Sequence, residues 1–290
     1  MTQKIIVLTG PTASGKTKLS IQLAKKINAE IICADSRIVY KDLDIVSAKP
    51  TLKEQNNITH HLIDIITPDK DFSAGDFVRL SEKIINQSSK PIIISGGTWF
   101  YIKSLLDEVK LPECEIDSKL RKKLENIEST TLWEELNKLD SKRAKEIHPN
   151  NKDKIIRSIE LCRYLNAPIS EYIREENQKY DAKWYMPDIN RTVLYERINS
   201  RVDEMIKEGL FDEWKKNDSK YGKTKIMLNT IGYKEFYELN EGIYQGFEEA
   251  VEKIKQHTRN FAKRQLTYFK SNSKIKTINT IDEILKETED

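Results

Sequence analysis

The chain has 290 residues, 33% of them charged, and a formal net charge of only +3. That length allows one large domain or two smaller ones with a real core, and the near balance of charge excludes a chain committed to nucleic acid by its global charge. No stretch approaches the roughly 20 apolar residues of a membrane-spanning helix, and no basic region followed by a long apolar segment opens the sequence, so neither a membrane protein nor a signal peptide is expected.

In chain order, the first element is the β-branched run Ile5-Ile6-Val7-Leu8, read as a strand. It breaks into Gly10-Pro11-Thr12-Ala13-Ser14-Gly15-Lys16-Thr17, which meets the phosphate-loop pattern G-x-x-x-x-G-K-[ST] at every specified position. A helix pattern follows, with Leu19, Ile21, Leu23, Ala24 and Ile27 on or near one face. Strand, glycine-rich turn and helix are the context this motif needs, because loop amides and a helix N-terminus together make an anion cradle. In that cradle Lys16 would reach phosphate oxygens and the Thr17 hydroxyl would be a ligand for Mg²⁺. The loop does not say which phosphate compound it holds.

Two further strands are expected, Glu30–Ala34 and Pro91–Ser95, with a helical segment from Asp76 to Ile85 between them. Such alternation predicts a parallel sheet covered by helices, and ligands bind such sheets at the carboxyl ends of the strands. Asp35-Ser36-Arg37 and Gly96-Gly97-Thr98 fall at those ends. Asp35 fits either a base or metal partner facing the loop, or a helix cap, and its position alone does not choose. The glycine pair fits either a close approach of backbone to ligand or a turn with no ligand. His60-His61 lacks a Cys or a third spaced His, so it is read as a strand edge rather than a metal site. Cys33, Cys114 and Cys162 show no metal-ligand spacing and no even pairing, which points to reduced thiols in a cytosolic protein.

From about Glu113 the pattern changes to short amphipathic helices, at 117–126, 131–139, 141–147 and 153–165, punctuated by Pro112, Pro149 and Pro168. Helical texture then runs from Leu194 to Lys216 and again from Gly246 to Lys270, before a weak strand at 275–278 and a short helix at 281–286. The expectation is an α/β fold, a phosphate-loop parallel sheet flanked by helices with an inserted all-helical domain. Its parts would be a first core segment over 1–112, the insertion over 113–185, and a second core segment over 186–290 ending in a basic helix. Between Val251 and Lys276 stand eight Lys or Arg against the single acid Glu252, interleaved with Phe261, Tyr268 and Phe269. Between Ser141 and Leu165 there are seven basic residues against three acids. Local basicity of this kind fits a phosphate-backbone partner, or only solvated helix faces.

Taken together these segments resemble the tRNA dimethylallyltransferases, also called tRNA isopentenyltransferases. The resembling stretches are GPTASGKT at 10–17, ADSR with VY at 34–40, SAKP at 47–50, HHLIDI at 60–65, and GGT at 96–98 with Tyr101. They continue with HPN at 148–150, IIRSIE at 155–160, LYERINSRVDEMIKEGL at 194–210, TIGYKE at 230–235 and QHTRNFAKRQLTYF at 256–269, so that nearly the whole chain is covered in family order. The resemblance implies transfer of a dimethylallyl group from dimethylallyl diphosphate to the exocyclic amine of the adenosine 3′ of a tRNA anticodon, in the cytoplasm and by a monomer. It implies that Gly10, Thr12, Ala13, Ser14, Gly15, Lys16 and Thr17 hold the donor's diphosphate with Mg²⁺ on Thr17. Asp35 would take the amine proton, Arg201 would grip the diphosphate, and Thr98 would stand at the mouth of the reaction channel. Contacts to tRNA are implied for Asp35, Ser36, Arg37, Ile38, Thr98, Arg121, Asp153, Lys154, Arg157, Gly232, Tyr233 and Lys234, the helical insertion clamping the anticodon stem. Three positions depart from the family pattern: Ile38 stands where Gln is usual, Trp99 where Gly is usual, and Asp153-Lys154 where Gln-Arg is usual. Two other readings therefore stand beside the first, an adenylate isopentenyltransferase using free nucleotide and a tRNA-binding paralogue without catalysis.

Overall fold

The computed structural model describes residues 4–106, 117–172 and 179–288. Its centre is one six-stranded sheet, all parallel, with strand order β3-β2-β4-β1-β5-β6. The strands are β1 (Ile5–Thr9), β2 (Glu30–Cys33), β3 (His60–His61), β4 (Ile92–Gly96), β5 (Ala182–Pro187) and β6 (Ile275–Ile278). Every residue of β1 is buried. A strand covered on both faces must be apolar along its whole length, which is why β1, β2 and β4 read as unbroken Ile/Val runs and not as alternation. Val7 lies beside Ile94 on one side and Trp184 on the other, fixing β1 in the middle.

Parallel neighbours cannot be joined by hairpins, so helices carry the crossovers. The helix Lys16–Ile27 returns the chain from β1 toward β2 and packs Leu23 and Ala24 on the core that holds Ile6, Leu8, Ile31 and Ile93. The helix Ala74–Gln87 leads into β4 and begins with a capping box, in which Ser73 and Asp76 satisfy each other's backbone amides. As a result the turns after β1, β2 and β4 lie side by side at the carboxyl edge of the sheet. Those turns are the phosphate loop, Asp35-Ser36-Arg37 and Gly96-Gly97-Thr98.

The chain divides into two compact units, residues 1–106 with 178–290 and residues 107–177. Within the second unit, helices Ser118–Glu125, Ser129–Leu139, Ser141–Lys145 and Lys152–Leu165 bury Leu132, Leu136, Ala144, Ile155 and Ile159 against one another. Asp140 is the buried hinge between two of these helices. Its carboxylate accepts the Arg143 amide at 2.9 Å, the Ser170 amide at 2.7 Å and the Ser170 hydroxyl at 2.7 Å. Burial pushes its pKa up, but the three hydrogen bonds outweigh that and hold it below the ordinary carboxylate value. Asp140→Ala should therefore cost about 1–3 kcal/mol. Denaturant unfolding at neutral pH should show the loss, and the difference from wild type should shrink as acid protonates the native carboxylate.

The structure sharpens two sequence expectations. The helical segment read as far as 185 stops earlier, because Ala182–Pro187 is β5, the strand that pairs with β1. The helical texture from Leu194 to Lys216 is two helices, Arg191–Lys207 and Leu210–Tyr221, separated by Gly209 at φ +97°. A left-handed backbone at that residue ends the first helix, and glycine takes it without a Cβ penalty. The 275–278 strand forms at the sheet edge as β6. His60 and His61 form the other edge, where the His61 ring meets Glu30 at 2.9 Å. Cys33 and Cys162 are buried free thiols, and Cys114 lies outside the described residues.

Candidate active site

The loop after β1 is bent by three left-handed residues, Gly10 (φ +147°), Ala13 (φ +60°) and Gly15 (φ +90°). This curls the backbone back on itself, with the Ser14 amide donating to the Pro11 carbonyl at 3.3 Å. The helix it feeds starts without a side-chain cap at Gly15. Its first amides therefore stay available to an anion, and the helix dipole favours negative charge there. Lys16 folds over the loop, donating to the Pro11 carbonyl at 3.2 Å. Burial pushes the Lys16 ammonium down to about 8, while nearby Asp35 raises it and Arg201 lowers it again.

Asp35 sits at the head of a turn that opens no helix. Its Oδ1 accepts the Arg37 amide at 2.8 Å, capping the turn after β2, while the residue also lines the central cavity. The turn after β4 is tied to it: Thr98 donates its amide to the Ala34 carbonyl at 3.1 Å, and its Oγ1 accepts the Ser36 amide at 3.1 Å. The glycine pair makes this possible. A Cβ at Gly96 would overlap the Ala34 carbonyl, and one at Gly97 would overlap the Gln265 carboxamide. These glycines therefore serve a close approach of Ala34 and Gln265, and Gly96 also lines the cavity. Gly96→Ala should be among the most damaging single-methyl additions in the chain, costing 3 kcal/mol or about the top of the usual overpacking range. A fall in thermal midpoint of many degrees checks this, and a near-unchanged midpoint would refute it.

These turns enclose a cavity of about 410 Å³ whose lining includes Thr12, Lys16, Thr17, Asp35, Thr98 and Arg201. Arg201 reaches it from the helix Arg191–Lys207; burial lowers its pKa, and Asp35 draws it back up. Both cations thus line the same cavity as Asp35 and feel its negative charge. Arg37 braces the far wall by donating to the Asn229 carbonyl at 3.2 Å. That wall, Asn229 to Gly232, is held by the fully buried Glu235, which accepts the Gly232 amide at 2.6 Å and meets the His257 ring at 2.5 Å.

Not every residue implied by resemblance presents its side chain as expected. Tyr233 is fully buried, its hydroxyl donating to Glu213 at 2.7 Å and accepting from Asn217 at 2.8 Å. Its ring secures the wall and offers no surface to RNA, whereas Gly232 contributes backbone to the cavity and Lys234 is exposed. Ile38 belongs to the apolar core and also lines the cavity. Trp99 packs against Trp184 and Phe269, with ring centroids 5.4 and 6.0 Å away, so the unusual side chain is absorbed by an aromatic cluster. In the helical unit, Arg121 and Arg157 share the buried carboxylate of Glu160, at 3.5 and 3.2 Å, and Asp153 and Lys154 are exposed. Sequence reasoning missed Gln265, Phe261 and Arg264 as cavity residues. All three stood in the QHTRNFAKRQLTYF stretch, where Phe261 and Arg264 read only as part of a basic, aromatic-interleaved face and Gln265 carried no signal.

The sheet order defines the class, an α/β protein built on one parallel sheet flanked by helices, and its cavity gathers Asp35, Lys16 and Arg201 beside the loop after β1. The chain belongs to the IPP transferase family, whose model matches residues 38–272. A tRNA dimethylallyltransferase of Anoxybacillus flavithermus is 38% identical to it over 99% of this chain and 94% of that protein. One of Thermoanaerobacter sp. is 40% identical over 95% of this chain and 91% of that protein. Among solved structures, a tRNA isopentenylpyrophosphate transferase of Staphylococcus epidermidis matches with a TM-score of 0.72 at 38% identity, covering 99% of both chains. A eukaryotic dimethylallyltransferase captured acting on tRNA matches with a TM-score of 0.80 at 29% identity, over 92% of this chain and 70% of that one. No helix among the described residues is long and apolar enough to cross a membrane.

Proposed function

We propose that the protein transfers the dimethylallyl group of dimethylallyl diphosphate to the exocyclic amine of the adenosine 3′ of a tRNA anticodon, releasing diphosphate. The observation that carries this reading is the meeting of Lys16, Thr17, Asp35, Thr98 and Arg201 on one cavity. The phosphate loop, the helix amides, Lys16 and Arg201 bind the diphosphate and stabilise the charge that grows on it as the C1–O bond breaks. As the new C1–N bond forms, the amine loses a proton, and the Asp35 carboxylate accepts it. Thr98, tied to Ser36, keeps the acceptor side of the cavity in register with Asp35.

No group of three or more His, Cys, Asp or Glu able to hold a metal occurs among the described residues. A protein that supplies one hydroxyl, from Thr17, suits Mg²⁺, which takes most of its oxygen ligands from substrate phosphates and water. When bound, Mg²⁺ would neutralise charge on the leaving diphosphate. An adenosine in an anticodon loop must leave its stack to reach a cavity, so base flipping is part of the proposal. The basic face of the helix Phe247–Lys270 and the arginines of the helical unit are the proposed tRNA contacts, with the helical unit holding the anticodon stem. The protein would work as a cytoplasmic monomer.

Unmodified tRNA, dimethylallyl diphosphate and Mg²⁺ given to the purified protein should yield prenylated adenosine, located next to the anticodon by nuclease mapping and mass spectrometry. AMP added as competitor should be neither modified nor strongly inhibitory. Prenylation of AMP in preference to tRNA would transfer the protein to the free-nucleotide reading, and tRNA binding without product would make it a non-catalytic binder.

A further inference from the structure

One buried carboxamide joins the two sides of the cavity. Gln265 lies on the helix Phe247–Lys270 and is 7% exposed. Its Oε1 accepts the Thr12 amide of the phosphate loop at 2.9 Å, and its Nε2 donates to the Gly97 carbonyl at 2.9 Å. Gly97 makes room for it, since a Cβ there would overlap Nε2. Two consequences follow. The Thr12 amide is engaged by protein, so the loop grips an anion with one backbone donor fewer than its length suggests. The donor cradle and the turn carrying Thr98 are held at a fixed separation by a side chain that must both accept and donate. Only an amide of this reach does both, because glutamate cannot donate and methionine does neither.

We infer that Gln265 is a positioning residue that sets the alignment of the diphosphate cradle with the Asp35–Thr98 turn. The inference rests on the prenyl-transfer reading for its kinetic arm, and its binding arm is independent of that reading. Misalignment of reacting groups by about 1 Å costs on the order of 100-fold in rate. Gln265→Met keeps length and volume but removes both hydrogen bonds. It should lower kcat/KM for dimethylallyl diphosphate by about 10–100-fold while tRNA affinity stays within about twofold. Gln265→Glu keeps the bond from Thr12, loses the bond to Gly97 and places negative charge beside the cradle. Calorimetry with inorganic diphosphate should show it binding at least about fivefold more weakly than Gln265→Met, as like charges in a partly buried site repel.

A merely structural role would lower thermal midpoints of both variants and leave the donor kinetics of Gln265→Met flat. Donor parameters within twofold of wild type in Gln265→Met, or equal diphosphate affinity in the two variants, would overturn the inference. If wild type itself transfers no prenyl group, the function proposal falls, and inorganic diphosphate binding by Gln265→Met against wild type still decides the role of Gln265: weaker binding supports it and equal binding overturns it.

Discussion

Asp35→Ala should lower kcat for prenyl transfer by about 100–10,000-fold, the range removed with a positioned general base. Diphosphate binding should change little or improve, because the substitution deletes a negative charge beside Lys16 and Arg201. The combination is diagnostic. A residue that only capped the turn after β2 would, when lost, disturb Ser36, Arg37 and the Thr98 contact together. Asp35→Asn separates the two roles, since its carbonyl oxygen still accepts the Arg37 amide while the group no longer takes a proton. Rapid-quench turnover beside calorimetry of diphosphate binding measures both quantities. Turnover by Asp35→Asn within tenfold of wild type would remove Asp35 from the chemistry and leave it as a cap.

The second large effect is on Lys16. Lys16→Ala should weaken donor binding by about 100-fold or more, as a partly buried, charge-assisted contact to an anion disappears. Wild type carries its own pH test. With the ammonium of the free protein at about 8, and raised once the diphosphate binds, the complex takes up a proton above that pH. Donor affinity should fall by up to about tenfold per unit as pH rises above about 8. Stability of the unliganded protein runs the other way: between about 8 and the ordinary lysine value of 10.5, the unfolded chain binds the proton that the fold rejects. Folding therefore gains as pH rises through that window. Lys16→Arg remains charged throughout, so its binding profile should lose the break. A break of equal size in Lys16→Arg would assign the titration to another group.

Much of this site is legible in the sequence because it is local. A phosphate loop is a run of eight residues, and the ends of β2 and β4 are marked by β-branched runs that stop at Asp35 and Gly96. What escaped depends on contacts between residues far apart in the chain. β5 was hidden because Ala-Lys-Trp-Tyr-Met-Pro shows neither alternation nor a β-branched residue, and it is a strand because β1 needs a partner on its second side. The two glycines at 96 and 97 signalled close approach correctly, but only the fold reveals that Ala34 and Gln265 are what approach. Gln265 was missed because a polar atom on a helix face looks the same whether it meets solvent, RNA or a partner more than 100 residues away. Trp99 stands where Gly is usual, and only the fold reveals Trp184 and Phe269 as its neighbours.

The central claim is that the phosphate loop holds a leaving group and not a nucleotide's phosphates. Donor labelled in its prenyl carbon, incubated with protein, Mg²⁺ and unmodified tRNA in the complete absence of ATP, tests it most directly. Transfer from the prenyl donor alone puts label in the RNA and diphosphate in solution in equal amounts, with ATP adding nothing to the rate. Transfer that depends on ATP, or ATP turnover with no label in RNA, would contradict it.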